Sequence, residues 1–361
     1  MKVALVGTGL IGASVGLAAK RAGAEVAGFD PDAGALQGAV DKGAVDVAAA
    51  TRADALQGAE LAVVAAPVAQ LAREVVTVLE AAPEGCTVTD VGSTKSAVCT
   101  GANGSARFVG GHPVCGSEAR GPEHASGELF QGATWSLTPL PETDAQRYRL
   151  VHAFVSSLGA TPVAVDPEAH DRIVALTSHL PHALANLLVN QAGATRVEGH
   201  DPLLSAGGSL RDMTRVAGAN PRIWVDIFLD NATPLSESLA EHRRRIEKLE
   251  EALASGDAGF VARWIGEASG NRRRMLEVAY DDPGALHRLR VHVPDRAGVL
   301  AAITQGLGAE RINIEDFELQ HVSPERGGTL RLFISGEGEA ERAARLLEEQ
   351  GYGVEIAPVV E

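Results

Sequence analysis

The chain has 361 residues, 45% of them hydrophobic and 22% charged, with a formal net charge of −15; that is too long for one ordinary core and implies two or three globular domains. No stretch approaches the ~18 consecutive apolar residues of a membrane span, and the acidic balance disfavours nonspecific attraction to nucleic acid, though a local pocket could still concentrate arginines. Met1 runs within a few residues into a Gly-rich turn, leaving no room for a cleavable signal segment, and the three cysteines, Cys86, Cys99 and Cys115, form no C-x-x-C pair, so reduced thiols and a cytoplasmic location are expected.

From residue 1 to about 165, short β-branched runs alternate with Ala-rich helical stretches: Val3 to Val6, Glu25 to Phe29, Leu61 to Ala65, Thr87 to Thr89 and Thr134 to Thr138. Strands that recur with crossover helices predict an α/β, doubly wound parallel sheet of Rossmann type, assigned to residues 1–166. From Pro167 to Ala279 the strand signal disappears, and segments such as Ser236 to Leu253 place Leu239, Ile246, Leu249 and Leu253 at helical spacing. Residues 167–280 therefore read as an all-α helical domain. Asp281-Asp282-Pro283-Gly284 has the composition of a linker. After it, strand patterns at Leu289 to Val293, Ile312 to Leu319, Thr329 to Ile334 and Gly353 to Pro358 are interleaved with helical patterns at Gly298 to Gly306 and Glu339 to Glu349. That βαββαβ order predicts a ferredoxin-like module over 285–361.

Gly7-Thr8-Gly9-Leu10-Ile11-Gly12 follows the first predicted strand and opens a helix. The glycines permit a tight turn and close approach of backbone to a pyrophosphate, which would sit at the positive end of the helix. The second strand ends at Asp30, about twenty residues on, where a carboxylate accepts hydrogen bonds from a ribose and repels a 2′-phosphate. Gly7, Gly9, Leu10, Ile11, Gly12 and Asp30 are thus the expected cofactor residues, with NAD favoured over NADP. Asp90-Val91-Gly92-Ser93-Thr94-Lys95 and Gly110-Gly111-His112-Pro113-Val114-Cys115-Gly116-Ser117-Glu118 are expected in loops after strands, over the ligand crevice. Taken alone, His112 reads as a surface-loop histidine and Ser93 as a helix cap before Lys95.

Four further blocks lie in the helical half: His170-Asp171; Ser178-His179-Leu180-Pro181-His182; Gly207-Gly208-Ser209-Leu210-Arg211-Asp212-Met213-Thr214-Arg215; and Trp224. With these in order the chain, from residue 1 to about 280, resembles the prephenate dehydrogenase family, whose pattern runs D-x-G-S-x-K, G-G-H-P-x-x-G-x-E, S-H-L-P-H and R-D-x-T-R before a Trp. The resemblance implies NAD-dependent oxidative decarboxylation of prephenate to 4-hydroxyphenylpyruvate in tyrosine biosynthesis. It implies His112 as the base on the C4 hydroxyl, Ser93 orienting that hydroxyl and His112, and Arg215 on a substrate carboxylate, where a guanidinium fork suits the task. His182, Ser117 and Glu118 are expected at the substrate, Glu118 as a gate or as a solvated side chain. An H-x-x-H pair such as His179 and His182 could ligate a metal, but no third ligand is placed and the chemistry needs no Lewis acid, so none is expected. His170 and His179 read as packing or supporting residues, Trp224 as wall, and Arg243 to Arg245 and Arg272 to Arg274 as solvated helix faces.

Val293-Pro294-Asp295-Arg296-Ala297-Gly298-Val299-Leu300 and Ile312-Asn313-Ile314 resemble the ligand loop and second strand of ACT domains. Asp295, Ala297, Gly298, Val299, Leu300 and Asn313 are the regulatory residues this implies, with tyrosine as the effector suggested by the activity; an ACT fold kept only for dimer contacts is the alternative. The helical domain is expected to form a homodimer. Two other readings remain open: arogenate dehydrogenase, which oxidises the aminated substrate, and a noncatalytic regulator sensing NAD and an amino acid.

Overall fold

In the computed structural model, residues 1–115, 119–279, 285–323 and 327–359 are described. The segment 281–284, read above as a linker, lies outside them. The chain divides into two compact units, Met1–Arg243 and Arg244–Glu361.

The first unit is built on an eight-stranded sheet: β1 (Lys2–Val6), β2 (Glu25–Phe29), β3 (Val47–Ala48), β4 (Leu61–Val64), β5 (Thr87–Asp90), β6 (Phe108–Pro113), β7 (Thr134–Pro139) and β8 (Thr161–Ala164). Its spatial order is β3-β2-β1-β4-β5-β6-β7-β8. All pairs are parallel except β6 with β7. The central strands β4 and β5 are buried at every position, as a parallel sheet covered on both faces requires. Two apolar clusters fill the faces, one around Val3, Leu5, Val15, Phe130, Trp135 and Val151, the other around Val6, Val64, Leu71, Val75, Val88 and Phe108. Aspartates start several of the flanking helices: Asp32, Asp144 and Asp166 each accept two backbone N–H bonds at the helix they open, relieving donors that no intrahelical carbonyl reaches.

The five strands expected here are present. Three more, β3, β6 and β8, were not expected: β3 has two residues, and β6 is interrupted in sequence by Gly110-Gly111, which hides its strand pattern. The consequence is specific. Gly110 to Pro113 is the end of a strand rather than a loop, and His112 pairs in register with Ser136.

Beyond Pro167 the unit is helical, apart from one isolated bridge between Val197 and His200. Pro167–Val174 runs through a π turn, Ala175–His179, into Leu180–Ala194. Pro181 supplies the cause: its ring removes an N–H and crowds the carbonyl one turn back, so the ladder widens just before it. Pro221–Asp230 follows, capped by Asn220, and Ala232–Ser255 continues across the boundary between the units.

The second unit holds the helix Ala258–Ala279 and a four-stranded sheet of β9 (Leu286–Val293), β10 (Asp316–Ser323), β11 (Gly327–Ser335) and β12 (Gly353–Pro358), with helices Val299–Ala309 and Glu337–Glu349. The order β10-β11-β9-β12, with every pair antiparallel, is the ferredoxin-like arrangement expected. One boundary moves. Ile312 to Glu315 precede β10, and the Ile312 side chain is buried in the module's core with Leu289, Ile303 and Leu332. No helix among the described residues is long and apolar enough to cross a membrane.

Candidate active site

β1, β4, β5 and β6 run parallel, so their C-terminal ends share one edge of the sheet, and the strand order reverses between β1 and β4. Open α/β sheets bind ligands at such a reversal. Gly7 has φ +99°, and a Cβ there would lie 2.3 Å from Ala65 O; one on Gly12 would lie 2.0 Å from Gly7 O. Both positions exclude side chains because backbone already fills the space. Gly9 differs: a Cβ there meets nothing within 4 Å. It stands at the start of helix Leu10–Arg21, which no side chain caps, so the first-turn N–H groups face open space suited to a pyrophosphate. Leu10 and Ile11 are part-buried, with Ile11 packed on the core. Asp30 is drawn to the same turn. Its Oδ2 accepts from Thr8 N at 2.7 Å and from Thr8 Oγ1 at 3.3 Å, while Oδ1 accepts from Asp32 N at 2.9 Å. The residues present therefore fit a dinucleotide.

Two strands along the same edge, Asp90 and Lys95 form an ion pair in which both side chains are fully buried. Asp90 also accepts from Gly92 N at 2.8 Å and Gly111 N at 3.0 Å, and Lys95 Nζ donates to Gly111 O at 2.8 Å. A Cβ on Gly111 would lie 2.5 Å from Asp90 O, so only glycine lets β6 come this close. The pair acts as a clamp on the residue before His112. Such a buried pair adds little net stability, but losing one partner would leave an uncompensated charge and cost about 3–5 kcal/mol.

His112 is part-buried, and its Nδ1 lies 2.9 Å from His170 Nε2. His170 Nδ1 in turn lies 2.9 Å from Asp171 Oδ1. Asp171 also accepts from Lys95 N and Ser96 N, each at 2.8 Å, and so caps the helix Ser96–Gly101 from 75 residues away in sequence. That is the cap for which Ser93 was an expected source. Ser93 caps nothing, and among the described residues it makes no hydrogen bond to His112; His170 does. Burial opposes charge on Asp171, but hydrogen bonds from His170, Ser96 and Lys95 outweigh it and hold the carboxyl below its usual range. Burial first, and then the Lys95 cation, keep His112 well below the ordinary imidazole value.

Asn231 extends the cluster: its Nδ2 donates to Asp171 O at 2.8 Å and meets His179 Nδ1 at 3.0 Å. Burial lowers His179 to about 4. Trp224 then stacks on His182 at 3.5 Å and meets His179 edge-on at 6.0 Å. His179 and His182 thus face one indole, which serves as wall between them. Burial pushes all three free thiols up to about 11, so none is a nucleophile near neutrality.

Not every expected residue joins this cluster. Arg215 begins the short turn Arg215–Gly218, is exposed, and makes no hydrogen bond or ion pair among the described residues. Ser117 and Glu118 lie outside the described residues. In the second unit Gly298 adopts φ +87° at the start of Val299–Ala309, with Asp295, Ala297 and Leu300 exposed around it. Val299 is an exception, its side chain being 5% exposed in the core. Asn313 donates to Glu315 at 2.9 Å. Sequence alone does not single out Asn231 or the Asp90–Lys95 clamp and gives Asp171 no role, while His170, expected as a packing or supporting residue, bonds to His112. A buried acid and lysine flanking the same Gly-Ser turn was the available signal.

A phosphate-ready turn at the reversal of a doubly wound sheet, with a buried imidazole chain on the same edge, defines a dinucleotide-dependent dehydrogenase. Comparison with known proteins agrees. The family described as the nucleotide-binding domain of prephenate dehydrogenase matches residues 15–164, its dimerization domain 166–267, and the ACT domain 287–351. Prephenate dehydrogenase of Bacillus subtilis is 32% identical over 358 residues, covering 96% of this chain and 95% of the relative. The crystal structure of prephenate dehydrogenase from A. aeolicus, in complex with hydroxyphenyl propionate and NAD+, superposes with TM-score 0.71 at 29% identity, covering 76% of this chain and 98% of that one. Synechocystis arogenate dehydrogenase gives TM-score 0.70 at 27% identity, covering 76% of this chain and 100% of its own. The chain belongs to the prephenate dehydrogenase family, with an ACT domain at its C-terminal end.

Proposed function

We propose that the chain is an NAD-dependent prephenate dehydrogenase, converting prephenate to 4-hydroxyphenylpyruvate in tyrosine biosynthesis, and that tyrosine restrains it through the ACT domain. The observation that carries the catalytic reading is His112, a part-buried imidazole held neutral at the ligand edge of the sheet. A neutral imidazole near neutrality is suited to remove a hydroxyl proton. His112 takes the C4 hydroxyl proton as the C–H electron pair leaves as hydride. Loss of the ring carboxylate as CO2 then returns an electron pair to the ring, and the resulting phenolate recovers a proton from the imidazolium. NAD, when bound, supplies the nicotinamide that receives the hydride. Gly7, Gly9, Leu10, Ile11 and Gly12 would hold its pyrophosphate, and Asp30 would accept from its ribose. Ser93 orients the substrate hydroxyl, His182 lines the pocket, Arg215 binds a carboxylate, and Ser117 and Glu118 complete the substrate side.

A division into a dinucleotide domain at 1–166, a helical domain at 167–280 and an ACT domain at 285–361 goes with this reading. So does a homodimer through the helical part, supported by exposed apolar side chains there, among them Leu204 at 89% and Leu229 at 72%.

NADH formation with prephenate and with arogenate, each with and without tyrosine, tests the proposal. Faster turnover of prephenate and inhibition by tyrosine are expected. Preference for the aminated substrate would make it an arogenate dehydrogenase, and no NADH with either would favour the noncatalytic regulator. Arg215→Ala should raise the substrate KM by about 10–100-fold with little change for NAD, since a hydrogen bond to a charged group commonly contributes ~1.5–3 kcal/mol. Arg215→Lys should recover only part, lacking the planar fork. An unchanged substrate KM would remove Arg215 from the site.

A further inference from the structure

We propose that His170 and Asp171 are positioning residues that fix the tautomer of His112, so that its Nε2 lone pair is the one presented to the substrate. The inference rests on the reading of His112 as base and assigns a task to two side chains that reading does not use.

The argument follows the hydrogen bonds inward from the carboxylate. Asp171 is ionised and already accepts from Lys95 N and Ser96 N, so it only accepts. His170 Nδ1, 2.9 Å from Asp171 Oδ1, must therefore carry the hydrogen. A neutral imidazole with hydrogen on Nδ1 offers a lone pair on Nε2. That lone pair lies 2.9 Å from His112 Nδ1, so His112 carries its hydrogen on Nδ1 and keeps Nε2 free to accept. The two rings meet nearly perpendicular, at 77°, which lets the Nδ1–H of one point along the lone pair of the other. His170 and Asp171 are 2% and 3% exposed, so water does not compete for these bonds. The far side of the dyad is fixed as well, since Asn231 holds the Asp171 carbonyl. When His112 gains a proton, its Nδ1–H bond to His170 strengthens, which stabilises the imidazolium without any further proton moving.

Two amides separate this role from a structural one. In His170→Gln the side-chain carbonyl can stand where Nε2 stood and still accept from His112, while the bond to Asp171 is lost. In His170→Asn the amide keeps a donor toward Asp171 and loses the acceptor toward His112. The proposal expects His170→Asn to lower kcat by about 10²-fold with the NAD Kd unchanged, and His170→Gln to recover at least tenfold of that loss. The acid limb of kcat/KM should also move down in pH in His170→Asn, since the acceptor that stabilises the His112 imidazolium is lost. Nitrogen-15 shifts of the wild-type ring should show hydrogen on Nδ1 and a lone pair on Nε2 of His112. The opposite tautomer, or equal activity in His170→Asn and His170→Gln, would overturn the proposal, while an active wild type and an inactive His112→Asn would leave the base assignment standing. Full activity of His112→Asn would instead defeat that assignment itself.

Discussion

The dinucleotide cradle and the histidine cluster lie on one edge of the same sheet yet are made in opposite ways. The cradle is a run of six residues, Gly7 to Gly12, finished by one carboxylate from the next strand. Its work is done by backbone N–H groups and by open space at Gly9. The cluster joins β5, β6 and three helical segments through Asp90, Lys95, His112, His170, Asp171, His179 and Asn231, whose bonds span up to 76 residues of sequence. Its work is done by side chains, most of them buried. A backbone site tolerates water and depends on local shape, whereas a buried polar network depends on every member being satisfied.

The two should therefore fail differently. The largest effect is expected from His112→Asn, which removes the base and should lower kcat by about 10²–10⁴-fold while leaving the NAD Kd within about twofold. Stopped-flow hydride transfer and a separate binding titration give the two numbers. A defect that appeared mainly in NAD binding would erase the distinction between the regions.

A smaller effect is expected in the cradle. Gly9→Ala places a methyl in space that is empty of protein, so the fold should persist with an unchanged Tm, while the NAD KM rises by about tenfold because backbone can no longer approach the phosphates. A stable variant with an unaltered NAD KM would show that the pyrophosphate lies elsewhere. The smallest effect is expected from Asp30→Ala, which should reduce the preference for NAD over NADP several-fold without touching kcat. Because Asp30 also accepts from Thr8 N, some loss of NAD affinity should accompany it. Better turnover with NADP than with NAD in the unaltered protein would refute the role given to Asp30.

The same contrast explains what the sequence disclosed. Gly7 to Gly12, the strand before it and Asp30 were legible because the turn chemistry is local and each residue type has one strong reason to be there. The ferredoxin-like module was legible because its strands alternate cleanly: β9 buries Leu289, Val291 and Val293 and exposes the residues between them. β6 was not, since the glycines that let it approach Asp90 remove the side chains a strand is recognised by. The fixing of His112 by His170 was invisible for a different reason. Two histidines 58 residues apart carry no pattern, and only the packing of the segment that begins at Asp166 against the Ser96 helix brings them together. Family resemblance pointed to Ser93 as a residue orienting His112, and the resemblance does not mention the hydrogen bond that His170 makes to its Nδ1.

The central claim is that a neutral His112 accepts the substrate's hydroxyl proton, and the pH dependence of kcat/KM for prephenate tests it most directly. Burial and the Lys95 cation disfavour the protonated ring, so its pKa lies well below 6.5, and the base remains competent as pH falls through the range where a free histidine would protonate. The account predicts a kcat/KM that stays level from pH 8 to below 6.5, falls only at lower pH, and loses that acid limb in His112→Asn. An acid limb at or above 6.5, or one that survives unchanged in His112→Asn, would contradict it.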